Sequence, residues 1–309
     1  MKWNKYTYLF GLVFAFNFMS CSSQVEIIPL WPKNSVPNNI ENEVQEVREI
    51  TDILRISKVQ EPTIEVYLPE KSIATGKAFL IFPGGGYGIL AYDWEGTDIA
   101  KFLNTHGIAG IVVKYRLPSD VTQVDKHNVP LIDAQRAIRL VKSKAEEWNL
   151  DSNQIGIIGF SAGGHLASTL GTQYNRKVYE PIDEVDELSA RPDFMALMYP
   201  VITMGENTHK GSRENLLGKN PSEDLVYQYS NQFNIDENTP RTFLAHAIDD
   251  TVVPRENSEY FHSLYNVKAK EKSVLYLYDK GGHGFSLAKG QPNLEQWTNR
   301  LLEWVNASE

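Results

Sequence analysis

The chain of 309 residues combines 42% hydrophobic with 22% charged residues, a balance typical of a globular protein with a sizeable core. Its net charge is −9, from 30 Lys and Arg against 39 Asp and Glu, and no basic stripe offsets that total. These values argue against nucleic-acid binding and disfavour a polyanionic substrate. The single cysteine excludes a disulfide framework and a thiolate metal site.

The N-terminal residues have the pattern of an export signal. Two lysines precede an apolar run over residues 6–19, and small polar residues follow at 20–23. A basic start, an apolar stretch and a small-residue cleavage site are typical of a secretory signal peptide, which we predict over residues 1–20. An uncleaved hydrophobic anchor and an ordinary secretory signal remain the alternatives to the lipoprotein interpretation that follows.

The end of the predicted signal peptide carries a more specific motif. The run Phe18-Met19-Ser20-Cys21 resembles the lipobox of bacterial lipoproteins. That resemblance implies that Cys21 is lipid-modified, that it becomes the first mature residue, and that the protein is anchored in the bacterial cell envelope, at a periplasmic or outer-membrane face. We predict a lipidated tether over residues 21–47, with some ordered contact near residues 28–32, and a folded domain over residues 48–309.

Strands and helices alternate through that domain. Two alternating segments, 50–56 and 63–68, are predicted as antiparallel strands at a sheet edge. Apolar runs typical of buried strands follow at 77–82, 108–115, 155–160, 194–199, 241–248 and 273–278. Helical spacing occurs at 94–106, 130–148, 256–265 and 294–305, and after residue 161. The pattern predicts an α/β fold with a mostly parallel central sheet of about eight strands and helices on both faces.

One segment interrupts the alternation. Residues 201–235 are polar and contain Gly and Asn, with no clear period. A long irregular segment after a strand often covers an active site. We therefore predict one domain with a lid-like insert near residues 201–235, and not two domains.

A glycine-flanked serine stands between a predicted strand and a predicted helix. The run Gly159-Phe160-Ser161-Ala162-Gly163 matches the G-x-S-x-G nucleophile elbow. The two glycines are needed because a side chain at either position would collide with the sharp turn. Ser161 then stands at a helix N-terminus, where backbone N–H groups favour developing negative charge. An ordinary Gly-Ser turn is the alternative interpretation.

A serine nucleophile needs a base and an acid, which follow it in the chain order Ser, Asp or Glu, His. His283 lies in a glycine-rich loop after the last predicted strand, and Asp249 and Asp250 follow the strand before it. The ends of parallel strands meet at one edge of an open α/β sheet. Adjacent side chains point differently, so only one carboxylate can support His283. We favour Asp250 for its offset from residues 253–254, and assign Asp249 to capping or a local turn. A solvated turn is the alternative for the pair.

Three glycines follow the strand predicted at 77–82. Gly84, Gly85 and Gly86 stand where a loop could offer backbone N–H groups to a tetrahedral oxygen, and side chains there would block its approach. A glycine-rich loop can instead cradle phosphate. That interpretation is disfavoured because no Lys-Ser or Lys-Thr pair follows and no basic cluster is nearby.

Together these motifs resemble the α/β-hydrolase family, over nearly all of the chain from about residue 50. The Gly84–Gly86 loop, the serine elbow with Gly164-His165 after it, and the Asp249-Asp250 loop resemble the branch of carbohydrate esterases that includes bacterial acetylxylan esterases. This chain has Pro83 where the family has His before the glycines. The resemblance implies a nucleophile, a general base, an orienting acid and backbone oxyanion donors, which are respectively Ser161, His283, Asp250, and Ala162 with Gly85 or Gly86.

The resulting hypothesis is a serine carboxylic-ester hydrolase that removes acetyl groups from xylan-type oligosaccharides through an acyl-enzyme intermediate. Aromatic and imidazole side chains that could line the sugar site are Tyr87, Tyr92, Trp94 and His209. No metal or organic cofactor is expected. The alternatives are a broad small-ester carboxylesterase, a serine peptidase, or a non-catalytic carbohydrate-binding lipoprotein. The sequence leaves the oligomeric state open.

Overall fold

The computed structural model describes residues 25–307. Its strands, in chain order, are β1 (Glu26–Pro29), β2 (Val47–Ile50), β3 (Leu54–Ser57), β4 (Thr63–Tyr67), β5 (Ala78–Phe82), β6 (Leu90–Ala91), β7 (Ala109–Lys114), β8 (Ile155–Phe160), β9 (Phe194–Met198), β10 (Arg241–Ala247) and β11 (Ser273–Tyr278). Its α-helices are α1 (Asp98–Asn104), α2 (Val129–Ser143), α3 (Ala162–Gln173), α4 (Lys210–Leu217), α5 (Glu223–Gln228), α6 (Glu256–Lys268) and α7 (Pro292–Asn306). A π-helical turn, Asp93–Thr97, precedes α1.

Eight strands form the central sheet, in the order β1-β4-β7-β5-β8-β9-β10-β11. The pairs from β7 to β11 are parallel, whereas β4 pairs antiparallel with both β7 and β1. Every residue of β5, β7, β8 and β9 is buried. Because successive side chains of a strand point to opposite faces, this burial requires cover on both sides of the sheet. The predicted α/β fold with a mostly parallel central sheet of about eight strands is confirmed.

The helix ends differ from the sequence pattern in two places. The helix predicted at 94–106 begins as the π-helical turn, and its α-helical part is α1. The helix predicted at 130–148 ends at Ser143, and the residues after it form turns. Pro130 lies in the first turn of α2, where its missing N–H costs no hydrogen bond.

The segment predicted as a tether is in large part a piece of the folded domain, and the boundary at residue 48 is wrong. Strand β1 pairs with β4 in the register Glu26 to Val66. Trp31 is buried, and its indole N–H donates to the carboxylate of Asp133 at 2.9 Å. The same carboxylate is paired with Arg116, 2.7 Å away. The segment orders because β1 covers the open edge of β4 and Trp31 buries a large apolar surface.

The segment predicted as one edge strand at 50–56 is a hairpin. Its two arms, β2 and β3, pair antiparallel, with the turn at residues 51–53, and β6 completes a separate three-stranded sheet. The polar residues at 51 and 52 interrupt the apolar alternation and mark the turn, whereas the sequence pattern predicted one continuous strand. This small sheet lies beside the carboxyl end of the central one, because β6 directly follows the loop after β5.

The insert at residues 201–235 is more regular than its sequence predicts. It contains α4, α5 and a short 3₁₀ helix, Asn231–Phe233. His209 and Ser222 cap the two α-helices by accepting hydrogen bonds from backbone N–H groups. Each helix is too short to show a clear hydrophobic period, so its caps are the stronger local signal. The lid role of this insert stays a prediction.

Candidate active site

Ser161 stands at the turn between β8 and α3 in a strained backbone conformation. Its φ is +52° and its ψ is −117°, in a region that L-residues rarely occupy. The flanking glycines are required sterically: a Cβ on Gly159 would lie 2.2 Å from the Gly163 carbonyl oxygen, and one on Gly163 would lie 2.1 Å from that of Phe82. The fold therefore holds the Ser161 side chain in one place at the carboxyl end of the sheet.

His283 joins the serine to a carboxylate. It lies in the loop after β11, between Gly282 and Gly284, which both have positive φ. Its Nε2 is 2.8 Å from Ser161 Oγ, and its Nδ1 is 2.7 Å from the Oδ2 atom of Asp250. The three side chains come from loops that are 122 and 33 residues apart in sequence, and they form one continuous hydrogen-bonded series.

Asp250 is held as an anion. Its Oδ1 accepts hydrogen bonds from the backbone N–H groups of Val252 and Val253, both at 2.9 Å. Burial works against ionisation, but hydrogen bonds from His246 and His283 outweigh it and lower the pKa of Asp250 below its ordinary value. The carboxylate is therefore charged at neutral pH and orients His283 with its Nδ1 protonated.

The neighbouring carboxylate, Asp249, does a different job. It is exposed, and its Oδ1 accepts a hydrogen bond from the backbone N–H of Gly282 at 2.8 Å. It does not cap a helix. It ties the loop after β10 to the loop that carries His283, so the two adjacent carboxylates contact the same loop at different points.

The glycine loop after β5 lies against Ser161. Gly85 has φ +129° and Gly86 has φ +65°, so both adopt backbone conformations that favour glycine. Both line the same cavity as Ser161. Among residues 25–307, no protein acceptor is bonded to the amides of Gly85, Gly86 or Ala162, the first residue of α3. These amides are available as donors to a ligand oxygen.

A buried glutamate that the sequence interpretation missed braces this loop. Glu95 is 4% exposed, and its Oε2 accepts a hydrogen bond from Gly84 N–H at 2.8 Å. Its Oε1 accepts one from the Tyr199 hydroxyl at 2.7 Å, and that hydroxyl accepts one from Ser286 N–H at 3.0 Å. Burial raises the pKa of Glu95, while these donors and the nearby His283 oppose the rise.

Glu95 thus connects the glycine loop to the loop that carries His283. The Tyr199 ring also packs edge-on against the imidazole of His283, with centroids 5.1 Å apart. The Pro83 carbonyl, directly before the glycines, accepts a hydrogen bond from the Tyr115 hydroxyl at 2.7 Å. No local pattern marks Glu95 or Tyr199, because their partners are distant in sequence.

Comparison with known proteins agrees with this geometry. The sequence model of the BD-FAE family matches residues 64–265. The chain belongs to the BD-FAE family. It is 35% identical to an acetylxylan esterase of Xylanibacter ruminicola, over 78% of this chain and 47% of that protein. It is 33% identical to endo-1,4-beta-xylanase B of Butyrivibrio fibrisolvens, over 74% of this chain and 35% of that protein.

A solved structure is also similar to this BD-FAE protein. It is an acetyl ester-xyloside bifunctional hydrolase from Caldicellulosiruptor lactoaceticus, with a TM-score of 0.78 and 35% identity, covering 90% of this chain and 94% of the other. The two curated relatives are longer, and the chain spans less than half of either. The family match, over residues 64–265, includes Ser161 and Asp250 and ends before His283.

A cleft of about 550 Å³ opens above Ser161, and we call it the Ser161 cleft. Trp94 and His209, two of the predicted sugar contacts, line it. The Trp94 indole N–H donates to the Gly284 carbonyl at 2.8 Å, and His209 stands beside Gly86. Burial lowers the pKa of His209.

Tyr87 does not line this cleft, and its predicted role is wrong. Its ring is 2% exposed, and its hydroxyl is 2.8 Å from the Nδ1 atom of His165. Tyr92 is also buried, with its hydroxyl donating to Glu65. Neither side chain lines the cleft. Residues of the β2–β3 hairpin take their place on the rim, namely Asp52, Ile53 and Arg55.

The described chain shows neither a metal centre nor a membrane span. Residues 25–307 contain no group of three or more His, Cys, Asp or Glu side chains that could hold a metal ion. In the same range, no helix is long and apolar enough to cross a membrane. Cys21 and the predicted signal peptide lie outside the described residues.

Proposed function

We propose that this BD-FAE protein is a serine esterase that removes acetyl groups from xylan-type oligosaccharides. The observation that carries the proposal is the hydrogen-bonded series from Ser161 Oγ through His283 to Asp250, at 2.8 and 2.7 Å. Such a series activates a serine for attack on a carbonyl carbon. The choice of substrate is supported by the names of two similar proteins, an acetylxylan esterase and an acetyl ester-xyloside bifunctional hydrolase.

The first half of the reaction transfers the acetyl group to the protein. Ser161 Oγ bonds to the carbonyl carbon while its proton passes to His283 Nε2, and the carbonyl oxygen becomes an anion. The amides of Ala162 and of Gly85 or Gly86 hold that anion. The bond from the carbonyl carbon to the sugar oxygen then breaks, and His283 returns the proton to the leaving hydroxyl.

The second half releases acetate. A water molecule gives a proton to His283 Nε2 and attacks the acetyl carbon, which again passes through an oxyanion. The bond to Ser161 Oγ breaks, acetate leaves, and the serine regains its proton from the imidazolium. Asp250 stays ionised throughout and keeps Nδ1 of His283 protonated.

Replacing the nucleophile tests the assignment. Ser161→Ala is expected to lower kcat for acetate release by at least about 10⁴-fold. The wild-type protein is also expected to form a covalent adduct with an organophosphonate, visible by intact mass, and Ser161→Ala is not. Turnover near the wild-type rate in Ser161→Ala would exclude the mechanism.

Substrate choice needs a separate comparison. Acetate release from acetylated xylo-oligosaccharides is measured beside hydrolysis of an aryl acetate, an aryl butyrate and a proline anilide. The proposal expects the highest kcat/KM on the acetylated sugar. Equal or better cleavage of the butyrate would favour a broad carboxylesterase, and cleavage of the anilide would favour a peptidase.

We also propose that Cys21 carries a lipid that anchors the protein in the bacterial cell envelope, at the periplasmic or outer-membrane face. The proposal rests on the apolar run and on the Phe18-Met19-Ser20-Cys21 motif. Detergent phase partitioning of the wild-type protein and of Cys21→Ala tests it. The wild type is expected in the detergent phase and the variant in the aqueous phase, and partitioning that ignores the substitution would refute it.

A further inference from the structure

A second and larger cavity lies outside the Ser161 cleft. It has a volume of about 970 Å³, at the upper end of the range for small-ligand sites. The insert and α6 form its walls, and neither Ser161, His283 nor any other residue of the Ser161 cleft lines it. The linings of the two cavities include residues that are two positions apart in sequence: Asn207 lines the larger cavity and His209 lines the cleft. We call the larger one the aromatic cavity.

Three aromatic side chains line the aromatic cavity and remain exposed. Tyr227 and Phe233 stack in parallel, with ring centroids 5.0 Å apart and planes 8° apart, and they are 61% and 43% exposed. Tyr260, on α6, is also exposed, and its hydroxyl accepts a hydrogen bond from the Asn207 amide at 3.2 Å. Aromatic rings left in water inside a recess leave flat apolar surface available to a ligand.

The aromatic cavity is also lined by a buried amide whose carbonyl oxygen has no partner in the described part of the chain. Gln232 lines the cavity and is 4% exposed, and its side-chain carbonyl oxygen has no hydrogen-bond partner among the described residues. Buried polar groups are normally paired, so this one points to a missing partner. A half-turn of the amide exchanges its oxygen and nitrogen, and a hydroxyl can bond to either, because it both donates and accepts.

The charges of the lining select among ligands. Arg213 is the one cationic side chain of this lining, against the carboxylates of Glu206, Glu223 and Asp224. The acidic excess disfavours phosphates and uronic acids. Acceptor oxygens on the wall suit a ligand rich in hydroxyl donors. A neutral sugar chain supplies both such hydroxyls and the flat C–H faces that pack on aromatic rings.

We propose that the aromatic cavity binds a neutral xylo-oligosaccharide as a second, non-catalytic site. The choice of a xylo-oligosaccharide as ligand rests on the proposed function. Ligand binding in the aromatic cavity does not depend on ester hydrolysis at Ser161. The stacked pair of Tyr227 and Phe233 supplies the platform, and Gln232 bonds to a sugar hydroxyl. The site would hold a polymeric substrate near the Ser161 cleft while its acetyl groups are removed.

Binding is measured first without turnover. Unacetylated xylohexaose is titrated into Ser161→Ala by calorimetry, and the titration is repeated after adding Tyr227→Ala, Phe233→Ala or Gln232→Ala. Each addition is expected to weaken binding about tenfold. Tyr227→Phe keeps the ring and is expected to restore binding. Val267→Ala, an exposed apolar change on α6 outside the lining, is the matched control and is expected to have no effect.

Activity separates the second site from the chemistry. With Ser161 intact, Tyr227→Ala and Phe233→Ala are expected to leave aryl acetate hydrolysis unchanged and to raise KM for polymeric acetylated xylan about fivefold. If xylohexaose binding is insensitive to all three cavity substitutions, or is lost only on Trp94→Ala in the Ser161 cleft, the second site is refuted. Equal affinity for an apolar fatty acid would also refute the sugar assignment.

The two proposals can fail independently. A protein that binds xylohexaose through Tyr227 but releases no acetate from acetylated xylan keeps the second site and loses the proposed reaction. A protein that deacetylates xylan with unchanged KM in Tyr227→Ala keeps the reaction and loses the second site.

Discussion

The Ser161 cleft and the aromatic cavity hold their polar groups in different ways. In the cleft, Asp250 and Glu95 have both carboxylate oxygens hydrogen-bonded to the protein, and His283 is fixed between two partners. In the aromatic cavity, the side-chain carbonyl of Gln232 has no partner within residues 25–307, and the stacked rings are exposed. Catalysis requires polar groups that are aligned before the substrate binds. A binding surface can instead leave a polar group without a protein partner, because the ligand supplies the hydrogen bond.

The largest expected contrast comes from the orienting acid. Asp250→Asn is expected to lower kcat on an aryl acetate by about 10⁴-fold, because an amide no longer holds His283 with Nδ1 protonated. Xylohexaose binding is expected to be unchanged. The matched control is Asp249→Asn, which keeps an acceptor for Gly282 N–H and is expected to cost only a few-fold. A collapse of turnover in the control with little change in Asp250→Asn would reverse the assignment.

The brace of the glycine loop is the next test. Glu95→Ala removes the acceptor for Gly84 N–H and for Tyr199, so the oxyanion donors lose their fixed position. Misplacement of this kind costs about 10²-fold in kcat, and we expect that loss with little change in KM. Glu95→Gln keeps one acceptor oxygen and is expected to lose less. An unchanged kcat in Glu95→Ala, in a protein with normal thermal unfolding, would contradict the role.

A buried histidine connects α3 to the insert and predicts a pH effect on stability. His165, on α3, is 2.7 Å from the backbone carbonyl of Tyr229 in the insert. Burial lowers the pKa of His165 from 6.5 to about 4. Between these values the unfolded chain binds a proton that the folded chain excludes, so stability is lost as the pH falls through this window.

Chemical denaturation checks this sign and size. From about pH 7.5 to about pH 4.5, His165 is expected to remove about 2 to 3 kcal/mol from the free energy of unfolding. Burial also lowers the pKa of His127, His209 and His262, so they contribute in the same direction. His165→Gln is expected to reduce the pH dependence of the free energy of unfolding by the amount assigned to His165. An equal dependence in the variant would show that His165 does not titrate in this way.

The smallest effect is expected at the rim of the cleft. Trp94→Ala removes an aromatic surface beside Ser161 and is expected to raise KM for acetylated xylo-oligosaccharides about fivefold. Trp94→Phe keeps a ring but loses the hydrogen bond to the Gly284 carbonyl. Its KM is expected to lie between those of the wild type and Trp94→Ala. A large fall in kcat with unchanged KM would instead assign Trp94 to holding the His283 loop.

The sequence predicted the parts of the molecule whose signals are local. The apolar runs of β5, β7 and β8 predict the parallel strands, because burial on both faces leaves no polar alternation. The elbow around Ser161 and the glycine loops have steric requirements that few other residues meet. In the sequence, only the offset from residues 253–254 favours Asp250 over Asp249. The structure places the Asp250 carboxylate beside His283.

What was missed depends on contacts between distant residues. Glu95 is one acidic residue among several near Trp94, and only the fold brings it to Gly84 and Tyr199. Tyr87 is an aromatic residue of the type that packs on sugar rings, but its hydroxyl is directed to His165. Strand β1 is short and exposed, with no period of its own, and pairing with β4 is what defines it.

The pairing of β1 with the central sheet limits how far the protein can range. If Cys21 carries the proposed lipid, it is only five Cα-to-Cα steps from Glu26, where β1 begins. A fully extended chain of that length spans about 17 Å. The protein would therefore stay within a shallow layer above the bilayer and reach only those polymer strands that come close to that membrane.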